Sequence, residues 1–282
     1  MTHTSSPISA YVQAAQRDQG AWEKPFLRVG HGGASGHAPA NSLRSIKLAL
    51  ELGVDMVEFD LRPCRDALVL VHDDSLEHYG QPGGLVSQST LPELQALSDE
   101  SDLRIARFEE ALQLIKGKAL VNIDLKAEGY EEPVVERVRS LGMSGEVMYS
   151  SLIPSSLARL RQLEPVAFTA ISFPEDKGNA SAHAYLKPVV ELALTWMRLT
   201  LPGRILQMMS TAQANSAMLY HRVISPQLIE TVQAAGGRLF AWTVDDPGRM
   251  QELREMGVNG VTTNYPDLLR KTLNHEGLEE KN

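Results

Sequence analysis

Short strand-like runs alternate with helix-like ones down almost the whole chain. The strand-like runs fall at residues 26–29, 54–61, 119–125, 146–150, 166–171, 218–222, 238–244 and 258–262. Between several of them lie stretches that open on a proline near a first helical turn, at Pro133, Pro154, Pro226 and Pro247, three of which are soon followed by glycine. Proline at the start and glycine past the end is the asymmetry helices favour. Strands that alternate with helices imply a parallel sheet, and about eight such units in 282 residues favour a closed (β/α)8 barrel over an open sheet. The expected organisation is therefore a lead segment over residues 1–24 and a single barrel domain over 25–282, of the α/β class.

Three stretches interrupt the regularity. Residues 73–118 are longer than a simple connection and read as an insertion between the strand that ends at His72 and the strand that carries Asp124. Residues 173–181 form a polar loop, and 187–213 resist assignment.

Composition narrows the partners. With 43% hydrophobic residues the chain can bury a sizeable core, and a formal net charge of −8 disfavours broad attraction to nucleic acid or an anionic surface. The single cysteine, Cys64, excludes an intrachain disulfide and points to a reducing, cytoplasmic setting. No apolar run reaches the roughly 18 residues of a membrane helix, since the richest, 189–197, is broken by Glu191. Neither a dinucleotide-binding glycine fingerprint nor a Walker loop is present.

In such a barrel, chemistry sits at the C-terminal ends of the strands. There the chain places His31, Glu58, Asp60, His72 with Asp73, Asp124, Lys126 and Trp242. Glu58 and Asp60 are two apart on a strand, so both face the same way while Phe59 faces the other, under the helices. Two carboxylates on one face are costly without a cation. With Asp124 they form a set of oxygen ligands suited to Mg²⁺ or Ca²⁺. Two histidines beside such a cation suit general acid and base work on a phosphate ester. Lys126 is costly to bury without an anion, and Trp242 is either a packed core ring or a lining of the substrate site. His3, His37, His78, His183, His221 and His275 read as surface residues.

These residues resemble the glycerophosphodiester phosphodiesterase family. The chain carries, in order, His31-Gly32-Gly33, Pro39-Ala40-Asn41, Glu58-Phe59-Asp60, Cys64-Arg65-Asp66-Ala67 and His72-Asp73. Asn122-Ile123-Asp124-Leu125-Lys126, Trp242-Thr243-Val244 and Thr263-Asn264-Tyr265-Pro266 follow. The resemblance implies a barrel that, with Mg²⁺ or Ca²⁺, hydrolyses glycerophosphodiesters to glycerol 3-phosphate and an alcohol. It implies His31 and His72 as the acid/base pair, Glu58, Asp60 and Asp124 as metal ligands, and Lys126 as a phosphate contact. Four positions depart from the family pattern: Gly32 stands for an arginine, Ala40 for a glutamate, Asp124 for a glutamate and Asn264 for an aspartate. Arg62 and Arg65 are candidates for the missing positive charge. Two alternatives stay open, a phospholipase D-like enzyme on lysophospholipid or sphingolipid and a non-catalytic phosphate-binding barrel. A small-molecule phosphodiester is the expected partner, and association into a homo-oligomer through outer helices is an open expectation.

Overall fold

A computed structural model describes residues 22, 24–97, 104–174 and 186–274. Most of the lead segment and of the 173–181 loop, and His3, His183 and His275, lie outside the described residues.

The strands are β1 (Leu27–Gly30), β2 (Met56–Pro63), β3 (Leu68–Leu70), β4 (Leu120–Leu125), β5 (Val147–Ser151), β6 (Phe168–Phe173), β7 (Ser216–Tyr220), β8 (Arg238–Trp242) and β9 (Gly260–Thr263). All but β3 pair in parallel, and β1 pairs with both β2 and β9, which closes an eight-stranded barrel. Around it run α1 (Leu43–Glu51), α2 (Leu91–Gln95), α3 (Phe108–Ile115), α4 (Glu131–Ser140), α5 (Pro154–Leu163), α6 (Lys187–Thr200), α7 (Ile205–Thr211), α8 (Pro226–Ala234), α9 (Pro247–Glu255) and α10 (Pro266–Asn274). The stretch 187–213 thus holds two helices, α6 and α7.

Local rules explain most boundaries. Ser42 caps α1 by accepting from the Ser45 N–H, and Asp246 caps α9 by accepting from the Arg249 N–H. β6 starts at Phe168 rather than at 166 because Val166 lies in a turn closed by the Ala167 N–H on the Glu164 carbonyl. β7 ends at Tyr220, and His221–Val223 instead form a single 3₁₀ turn.

The insertion begins with a reversal. β3 runs antiparallel to the end of β2, pairing Leu61 with Leu70 and Pro63 with Leu68. The hairpin climbs past the barrel rim and returns, and the Val71 N–H donates to the Asp60 carbonyl. His72 therefore reaches the level of Asp60 by coming back down, not by ending a barrel strand. A separate apolar cluster of Val69, Val71, Leu76, Val86, Leu94 and Ile105 holds the insertion together.

Side-chain alternation divides the core into two layers. Inside the barrel, Val29, Met56, Met148, Met218 and Phe240 pack together with Trp22, whose ring stacks on Phe168 at 4.5 Å. Outside, the odd residues of β2 meet the helices, and Phe59 sits edge-to-face with Phe108 of α3 at 6.1 Å. Phe59 is fully buried, so Phe59→Ala is expected to lower the unfolding free energy by about 3–5 kcal/mol. Urea unfolding with an unchanged m-value checks this, and a loss below about 1 kcal/mol would place Phe59 outside the packed layer.

Candidate active site

The inward-facing residues of β2 and β4 lie side by side because the strands are in register, with Glu58 opposite Asn122 and Asp60 opposite Asp124. β5 adds Ser150 opposite Asp124. β1 ends next to β2 and β9, which brings His31 to the same rim. A cavity of about 710 Å³ opens there, and His31, Glu58, Asp60, His72, Asp124, Lys126 and Trp242 all line it. Of the two candidate arginines, Arg62 lines it and Arg65 does not.

Glu58, Asp60 and Asp124 are buried, and one carboxylate oxygen from each lies within 4.8 Å of the others. Each is held from behind. Glu58 Oε2 accepts from the Gly32 N–H at 2.8 Å. Asn41 clamps Asp60 twice, donating Nδ2 to its Oδ2 at 2.8 Å and accepting from its backbone N–H at 3.0 Å. Ser150 donates to Asp124 Oδ1 at 2.6 Å. Lys126 extends its ammonium between two of the acids, 2.9 Å from Asp60 Oδ1 and 2.6 Å from Asp124 Oδ2.

One ammonium does not neutralise three buried carboxylates. Burial works against the charged form of Asp60, but Lys126, His72, His31 and Asn41 outweigh it and hold its pKa down at about 2. Lys126 is likewise held charged, since Asp124 and Asp60 overcome the cost of its burial. Glu58 takes the imbalance: burial drives its pKa up to about 7, with Asp60 and Asp124 adding to the rise against the pull of His31. A cluster of oxygen donors with surplus negative charge fits a hard divalent cation.

The histidines occupy different depths. His31 is half-buried, with Nδ1 2.7 Å from Asn264 Oδ1. Burial opposes its charged form, yet Glu58, Asp60 and Asn264 raise its pKa overall. His72 is exposed at the mouth, with Nδ1 2.8 Å from Asp73 Oδ1 and its carbonyl accepting from Arg62 Nε. Trp242 donates its indole N–H to the Met218 carbonyl at 3.0 Å, so one edge is fixed while the ring lines the cavity.

Several supporting residues escaped the sequence reading. Asn41 reads as a helix cap beside Ser42, but its φ of 62° and its two bonds to Asp60 give it to the acidic cluster. Asp245 and Ser150 carry no local signal, since each acts on a residue of a neighbouring strand. His221, read as a surface residue, is half-buried in a second cavity of about 400 Å³ with Arg198, Arg222 and Arg249. Burial, then Arg249 and Arg222, push its pKa down to about 4.

The sequence pattern of the glycerophosphoryl diester phosphodiesterase family matches residues 31–268, the span that builds this cavity. The chain belongs to that family. A relative named glycerophosphodiester phosphodiesterase, from Caldanaerobacter subterraneus subsp. tengcongensis, is 27% identical over 259 residues, covering 86% of this chain and 96% of its own. Among solved structures, a glycerophosphodiester phosphodiesterase from Parabacteroides distasonis superposes with a TM-score of 0.70 at 21% identity, over 90% of this chain and 99% of its own. A phosphodiesterase from Oleispira antarctica, solved with its product sn-glycerol-3-phosphate, gives 0.68 at 22% identity, over 88% and 96%. At that identity the structures establish a shared fold. Two departures from the family pattern also touch in space, because a β-carbon at Gly32 would lie 3.0 Å from that of Ala40.

The electrostatics predict a pH signature. Glu58 keeps its proton to about pH 7 in the fold but only to about 4.5 in an unfolded chain. Its contribution to stability is thus complete below pH 4.5 and is lost as pH rises towards 7, at up to order 1 kcal/mol per pH unit. Urea unfolding in EDTA should show this decline in the native protein, and Glu58→Gln should flatten it. Identical slopes in both proteins would remove Glu58 from this role.

Proposed function

We propose that this family member hydrolyses glycerophosphodiesters to glycerol 3-phosphate and an alcohol, with a divalent cation, Mg²⁺ or Ca²⁺, and with His31 and His72 as base and acid. The observation that carries the reading is the convergence of three buried carboxylates and two histidines on one cavity at the C-terminal rim of the barrel. Residues 25–282 would act as one catalytic domain, and the lone Cys64 suits a cytoplasmic setting.

Glu58, Asp60 and Asp124 would hold the cation. Bound there, it would neutralise phosphate charge and polarise the P–O bonds. His31, deep beside the acids, takes a proton from the attacking water on Nε2, the nitrogen not engaged by Asn264. The water oxygen bonds to phosphorus, the ester P–O bond breaks, and the leaving alkoxide takes its proton from His72 at the mouth. Asp73 orients that ring through Nδ1, leaving Nε2 for the leaving group. Arg62, which lines the cavity, supplies positive charge towards the substrate phosphate. Trp242 bounds the alcohol side, where its face suits a choline-like head group.

A specific surface favours a second substrate class, phosphodiesters that carry an acyl chain. α6 projects Val189, Leu192, Trp196 and Leu199, exposed by 64, 73, 56 and 75%, in a stripe at helical spacing. Its opposite face packs Val190, Leu194 and Met197 into the core. Arg222, just past the C-terminal end of β7, ties the helix to that end of the barrel through Glu191, and both line the second cavity. Leu152, Ile153, Pro174 and Met218 extend the apolar lining into the cavity.

Release of glycerol 3-phosphate from glycerophosphocholine should require added Mg²⁺ or Ca²⁺ and vanish in EDTA. His31→Ala and His72→Ala should each lower kcat roughly 10²- to 10⁴-fold. Full activity in EDTA, or in either variant, would overturn the mechanism. For the second class, Leu192→Ser combined with Trp196→Ser should cut the rate on lysophosphatidylcholine about tenfold or more while sparing glycerophosphocholine. Equal effects on both substrates would dismiss it.

A further inference from the structure

Behind His31 runs a hydrogen-bonded chain that the reaction does not touch. Asn264 lies between His31 and Asp245: its Oδ1 is 2.7 Å from His31 Nδ1, and its Nδ2 donates to Asp245 Oδ2 at 2.6 Å. Asp245 Oδ1 accepts at 2.9 Å from both the Asn264 backbone N–H and the Thr263 hydroxyl. Ser35 donates its hydroxyl to Asn264 Oδ1 at 2.6 Å. Asp245 does not line the cavity.

The direction of every bond follows from one group. A carboxylate only accepts, so the Asn264 NH₂ must face Asp245 and its carbonyl must face His31 and Ser35. A carbonyl also only accepts, so His31 Nδ1 must carry hydrogen. In the neutral ring Nε2 is then bare, which is the form a general base needs.

We infer that Asp245 is a positioning residue that acts through Asn264 to hold His31 in its Nδ1–H tautomer, keeping Nε2 open to the nucleophile's proton. The inference rests on His31 being the base of the proposed reaction. Its neighbour Asp246 has a separate task, capping α9. The chain spans three elements, from the β8–α9 connection through the end of β9 to the end of β1, so the tautomer is set by the closure of the barrel itself.

The test is Asp245→Asn. An amide at 245 can still accept from the Thr263 hydroxyl and the Asn264 N–H, so the fold is expected to persist. It can also donate, which frees the Asn264 amide to turn over and present NH₂ to His31. Long-range ¹H–¹⁵N spectra, with the His31 signal assigned by its loss in His31→Ala, should show Nδ1–H in the native protein and a shift towards Nε2–H in Asp245→Asn. The kcat on glycerophosphocholine should fall roughly 10²- to 10⁴-fold with KM little changed. Combining Asp245→Asn with Asn264→Asp sets a carboxylate directly against Nδ1. That exchange should restore the Nδ1–H signature and bring kcat back to within about tenfold of native. Wild-type kcat or an unchanged Nδ1–H signal in Asp245→Asn would overturn the inference, as would failure of the double variant to recover the signature. If the native protein releases no glycerol 3-phosphate, the proposed activity fails, and the spectra still decide the tautomer on their own.

Discussion

The site is organised around an unmet electrostatic demand. Three carboxylates are buried at the rim of the barrel, and the single ammonium of Lys126 bridges two of them. The remainder falls on Glu58, whose proton is the internal substitute for a cation. The surroundings serve to keep the acids in place despite the cost of burying them: Asn41 clamps Asp60, Ser150 holds Asp124 and the Gly32 amide holds Glu58. A cluster of oxygen donors with this surplus charge fits a hard divalent cation.

The barrel converts that demand into geometry. Parallel register sets Asp60 beside Asp124 and Glu58 beside Asn122, so the cluster follows from strand pairing rather than from flexible loops. Strand alternation makes Phe59 the outward counterpart, anchored on Phe108, so the packing that fixes β2 also fixes the acids on its other face. The β2–β3 hairpin then folds His72 back over the cluster, and the closing pair β1–β9 supplies His31 with its partners. The two histidines and the candidate ligands thus come from separate elements that only the closed barrel brings together.

Much of this was legible in the sequence because it depends on short-range periodicity. Alternating strand and helix signals disclosed the barrel, and the Glu58-x-Asp60 spacing placed both acids on one face. What escaped depends on contacts far apart in the chain. The run that ends at His72 reads as a strand that delivers the histidine at its end, yet Leu68–Leu70 pairs antiparallel with β2 because only four residues separate the two, too few for a crossover. Asn41 resembles a helix cap until its partner, 19 residues away, is known. Asp245 is one of two adjacent acids, Asp245 and Asp246, and nothing local says which caps α9 and which reaches Asn264. α6 carries apolar residues on two faces, which blurs the helical period and explains why the stretch from 187 resisted assignment.

A divalent cation entering the Glu58, Asp60 and Asp124 cluster would displace the Glu58 proton. Calorimetric titration of the chelator-treated protein with Mg²⁺ and with Ca²⁺ near pH 6, in two buffers of different ionisation enthalpy, measures both events at once. Saturable binding of one cation per chain with net proton release is expected, and the release should be lost in Glu58→Gln. Absence of saturable binding, or binding unchanged in both Glu58→Gln and Asp60→Asn, would contradict a cation site in this cluster.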